Sequence, residues 1–138
     1  MRRMATVATI LCCGMTLNVC AAYGSTIPKV YLAAQVSVQK VNSDEGAAFH
    51  AETHNQPNKI ASDYVRELHD CRTLGQHTNG PNKQMNRLLE RFSTDCATDA
   101  IANKAFWQNP NVGDPTKANQ RVISDLNAIN ALWKRLGY

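Results

Sequence analysis

Between residues 57 and 136 apolar side chains recur every three or four positions, a spacing that fits helices packed on helices and little else. Ile60, Tyr64, Leu68 and Cys71 make one stripe, with Val65 beside it. Met85, Leu88, Leu89 and Phe92 make a second, continuing through Ile101 and Ala105 to Trp107. Val122, Leu126, Ile129, Leu132 or Trp133, and Leu136 make a third. The punctuation agrees: Pro57 suits a first helical turn, and Gly75 suits a stop after Leu74. Asp114 is placed to cap the last helix with Pro115 at its first position, Lys134 and Arg135 complement its C-terminal dipole, and Gly137 closes it. The expected fold is all-α, a small helical bundle of three main helices plus one or two short ones.

The preceding segment is less regular. In YGSTIPKVYLAAQVSVQKVN, residues 23–42, Val36 and Val38 alternate as in a strand, whereas Val30, Ala33, Ala34 and Val41 suit a helix. It reads as an extended arm or a short helix. Its uncharged run VYLAAQVSV needs a cover, either the domain or a partner. Residues 43–54 suit a short helix capped by Ser43 or Asp44, weakened by Gly46 and interrupted before Pro57. The expected organisation is therefore an N-terminal arm over 23–56, weakly structured or a short helix, and a helical domain over 57–138.

Residues 1–22 read as a cleaved signal peptide. Arg2 and Arg3 precede a short uncharged apolar run, and small residues follow at Ala21 and Ala22. The run is too short for a membrane span, which needs about 20 apolar residues. The remainder is about 115 residues, one small domain, expected in the periplasm or outside the cell. The chain carries a net charge of +4, and loss of the two leader arginines leaves +2. Basic and acidic residues interleave, so neither nucleic-acid binding nor a polybasic membrane contact is expected.

Cys12, Cys13 and Cys20 leave with the leader, and Cys71 and Cys96 remain. An even pair in an exported chain implies one disulfide. Closing a loop of that length contributes roughly 3.5 kcal/mol on the chain-entropy model. A straight antiparallel hairpin would leave the two cysteines roughly 15 to 20 Å apart. Either the loop at 75–82 must run back along its helix, or Ser93-Thr94-Asp95, poor helix formers, must kink the next one and fold Cys96 over.

Few residues suggest chemistry. His50 and His54 lie four apart, on one face of any helix there, and are the candidate metal ligands. Glu52 projects about 200° away from His50, so it cannot serve as the base of a zinc protease. Glycosidase-type chemistry would need a well-placed acid, and Glu67 and Glu90 read instead as solvated side chains on charged helix faces. Phe106 and Trp107, beside a loop rich in Asn, Gly and Pro, are candidate partner-binding residues. No catalytic set and no cofactor is implied. The expectation is protein–protein binding after export, as an accessory factor of a secretion or conjugation system or as an immunity or inhibitor protein. The alternative is a small secreted hydrolase or metal-binding enzyme using His50 and His54.

Overall fold

The computed structural model describes residues 27–138, so the leader and the first residues of the expected arm lie outside the described residues. Four helices run in succession: α1 (Lys29–Thr53), α2 (Pro57–Leu74), α3 (Lys83–Gln108) and α4 (Thr116–Arg135), with 3-10 turns at Gly75–His77 and Pro110–Val112. Each helix packs on the next. There is no strand among the described residues, and none of their helices is long and apolar enough to cross a membrane.

The segment expected to be an arm or short helix followed by a separate short helix is a single 25-residue helix. Tyr31, Ala34, Val38, Val41, Ala48 and Ala51 all turn into the core at helical spacing. The gap in that stripe is filled by Asp44 and Glu45, both buried, and these acids hid the helix from an apolar pattern. Leu32 and Val36 face outward. Asn55 takes φ 51°, a left-handed conformation that Asn tolerates, and so reverses the chain between α1 and α2.

The kink expected at residues 93–95 is absent, because α3 runs unbroken from Lys83 to Gln108. The hydroxyls there bond to carbonyl oxygens: Ser93 donates to Cys71 O at 2.7 Å and Thr94 to Glu90 O at 3.0 Å. Cys71 and Cys96 nonetheless meet, with Cα atoms 5.8 Å apart, within disulfide range. The resolution is an axial offset. Cys71 lies near the end of α2, whereas Cys96 lies roughly 20 Å along α3 at about 1.5 Å per residue. Thus α3 begins well beyond the end of α2, and residues 75–82 climb to its start.

In that overhang α3 meets α1 and α4. The Tyr31 hydroxyl lies 3.0 Å from Asn82 O and 2.9 Å from Asn86 Oδ1, and accepts the Asn82 N–H at 2.8 Å. Asn86 bonds both backbone groups of Gly80, accepting at 3.0 Å and donating at 2.8 Å. The Tyr31 ring packs edge-on to Trp133 at 6.2 Å and beside Tyr138 at 6.0 Å. At the other connection, Asp114 Oδ1 accepts the Thr116 N–H at 2.8 Å, although the N-cap of α4 is Pro115, one residue later than the expected Asp114.

A Cβ built on Gly80 would overlap the Tyr31 ring. Gly80→Ala is therefore expected to destabilise the protein by about 1–3 kcal/mol, the usual range for overpacking. Urea unfolding monitored by circular dichroism would measure it.

Candidate functional site: a buried acidic layer and a fixed surface tryptophan

Two apolar clusters fill the bundle. The larger gathers Tyr31, Val38, Cys71, Leu74, Leu89, Phe92, Cys96, Leu126 and Trp133, among others. The smaller comprises Ala48, Ala51, Ile60, Tyr64 and Ala100. Between them in chain position on each of the first three helices lie buried acids, Asp44 and Glu45 on α1, Glu67 on α2 and Asp99 on α3, with a further buried acid, Asp63, between Ile60 and Tyr64 of the smaller cluster. These positions continue the helical stripes, so the bundle carries an acidic layer where an apolar one would be expected.

Most of this layer is partnered. Arg66, half exposed, reaches back along the surface to bond Asp44 Oδ1 and, at 2.9 Å, Asp63 Oδ1. Burial raises the Asp44 carboxyl above its ordinary range; Arg66 pulls it down and Asp70 pushes it up. With its amide nitrogen turned toward Asp99, Asn119 of α4 donates to Oδ2 at 2.9 Å. A second pair, Arg91 with Asp125, ties α3 to α4. There too burial raises the carboxyl, against Arg91 and reinforced by Asp95.

Glu67 is different. It was expected to be solvated, yet its side chain is 0% exposed. Both of its oxygens are buried and neither has a hydrogen-bond partner. Burial, then the charges of Glu45, Asp99, Asp44 and Glu52, hold its carboxyl well above the ordinary value of 4.5. One of its oxygens and the sulfur atoms of Cys71 and Cys96 lie within 4.8 Å of one another. The sequence signal was present: Glu67 stands three residues after Tyr64 and four before Cys71, on the inward stripe. Its charge led to the solvated reading. Glu90, by contrast, is exposed as expected.

At the α1–α2 turn the structure gathers the other singled-out residues. His50 and His54 are exposed and stack with ring centroids 4.0 Å apart. His54 Nδ1 donates to the His50 carbonyl at 2.9 Å, which places its proton on that nitrogen. No third His, Cys, Asp or Glu atom joins them within 4.8 Å among the described residues, whereas catalytic zinc needs three protein ligands. Glu52 points elsewhere, as its helical position requires. It accepts from the Tyr64 hydroxyl at 2.5 Å and from Trp107 Nε1 at 2.6 Å. The Trp107 ring is 38% exposed, lies edge-on to Phe106 at 6.4 Å and precedes Val112, which is 56% exposed. A shallow groove lined by Lys117, Gln120, Arg121 and Ser124 lies on α4 and contains none of these groups.

No protein-family model, curated protein or solved structure matches the chain.

The buried Glu67 makes two linked predictions. An unpartnered buried polar group costs about 1–3 kcal/mol, so Glu67→Met is expected to raise stability by about that amount. The folded state also retains a proton that the unfolded chain releases above 4.5. The Glu67 contribution is therefore most favourable below that pH and falls as pH rises toward the elevated folded value. The gap between Glu67→Met and the parent should accordingly widen with pH in denaturant titrations of the oxidised protein.

Proposed function

We propose that the chain works by binding another protein after export, as an accessory factor of a secretion or conjugation machine or as an immunity or inhibitor protein. The observation that supports this reading is Trp107. Its indole is partly exposed yet fixed by the bond from Nε1 to Glu52. A large aromatic held in one orientation loses little side-chain entropy on docking, and tryptophan is enriched among residues that dominate interface energies. Phe106 supports the ring from the side, and Val112 adds apolar surface next to it in the chain. A helical core tied by one Cys71–Cys96 pair supplies a rigid base for such a surface. The acidic layer is enclosed rather than open to substrate, which favours binding over catalysis.

The test uses the full chain with a C-terminal tag, recovered after export and used to capture partners from periplasmic extract at physiological salt. One specific partner is expected. Trp107→Ala should weaken its affinity at least about 10-fold, since residues of this class contribute 1.4 kcal/mol or more, while the helical circular dichroism is retained. Recovery of no partner, or a partner indifferent to Trp107→Ala, would overturn the reading.

A further inference from the structure

We infer that Glu67, Cys71 and Cys96 form a redox-gated metal site: a disulfide beside an orphaned carboxyl when oxidised, and a three-ligand site for zinc when reduced. Glu67 and Cys71 are four residues apart on α2, hence on one face, and α3 brings Cys96 against them with its Cα 5.8 Å from that of Cys71. All three side chains are 0% exposed, and their ligand atoms lie within 4.8 Å of one another. Zinc–sulfur bonds of about 2.3 Å and zinc–oxygen bonds of about 2.0–2.2 Å place the ligand atoms of a tetrahedral site roughly 3.5 to 4 Å apart. Small side-chain rotations suffice to reach that geometry.

The second observation is independent of the cysteines. Neither Glu67 oxygen has a hydrogen-bond partner, although the carboxyl is fully buried. A buried polar group with no partner calls for a reason, and a metal ligand provides one. The charge environment agrees. Glu45, Asp99, Asp44 and Glu52 all act on Glu67 with negative charge, a field that opposes its own ionisation and favours a dication beside it.

The chemistry balances as follows. A dithiol reductant supplies two electrons and two protons. The Cys71–Cys96 sulfur–sulfur bond breaks, two thiols form, and the reductant closes its own disulfide. Zinc then takes two thiolates and the Glu67 carboxylate, releasing both thiol protons and the carboxyl proton where present. Two sulfurs and one carboxylate suit zinc over magnesium or calcium, with water in the fourth position.

The protein is unfolded in urea with a water-soluble phosphine, which takes up the oxygen of one water as it reduces the disulfide, and is then freed of both and refolded with cobalt(II) as the spectroscopic stand-in for zinc. The expected result is one equivalent bound, a thiolate-to-cobalt charge-transfer band and the visible bands of a tetrahedral site, with none in the oxidised protein. Glu67→Gln should weaken cobalt binding at least about 10-fold while the thiolate band persists at saturating metal. If the reduced chain does not regain its helical circular dichroism alone, one equivalent of cobalt should restore it. Absence of the band, binding indifferent to Glu67→Gln, or failure of cobalt to restore a lost fold would overturn the inference.

Discussion

The meeting of Cys71 and Cys96 sets how far α2 and α3 slide past one another, and much of the bundle follows from that register. Cys71 is close to the end of its helix while Cys96 is in the middle of its own, so α3 must extend beyond α2. The overhang would expose Met85 and Leu89 if nothing covered it. The N-terminal half of α1 and the C-terminal half of α4 supply the cover, with Tyr31, Leu132 and Trp133 in the same apolar cluster. The segment 75–82 is shaped by the same requirement. Asn86 and the Tyr31 hydroxyl satisfy its backbone where it crosses to the start of α3.

Below the cysteines the core changes character. The apolar stripes of α1, α2 and α3 are interrupted at one level by acids, and Arg66 offsets part of that charge from the surface. Burying carboxyls is unfavourable unless each finds a partner. The layer meets that condition at Asp44 and Asp63 through Arg66 and at Asp99 through Asn119, and fails it at Glu67. A small domain has little stability to spare. An unpartnered carboxyl against a buried cysteine pair is thus a local conflict of the kind that marks functional positions.

Much of this was legible in the sequence. The start of α2 falls at Pro57, α4 starts within a residue of the expected Pro115, and its end precedes Gly137, which takes φ 76°, because Pro and left-handed Gly act through backbone geometry that tertiary contacts rarely override. The misreadings share one cause, a polar residue judged by its chemistry rather than by its place on a stripe. Asp44 and Glu45 concealed the continuity of α1. Ser93 and Thr94 suggested a break, yet their hydroxyls found carbonyls and left the helix intact. Glu67 was assigned to solvent although it fell between Tyr64 and Cys71. Helical phase outweighed polarity in each case, and only the packed helices show which polar groups find partners.

The two ends of the molecule then differ in kind. At one end Tyr31, Trp133 and Tyr138 close the core. At the α1–α2 turn Glu52 fixes Trp107 at the surface, where a partner can reach it. Both depend on the α2–α3 register, and peptide mapping of the purified, unreduced protein tests that register most directly. A Cys71 peptide covalently joined to a Cys96 peptide is expected, with neither cysteine alkylated when the protein is unfolded without reductant. Alkylation of both cysteines under those conditions, in protein never exposed to reductant, would contradict it.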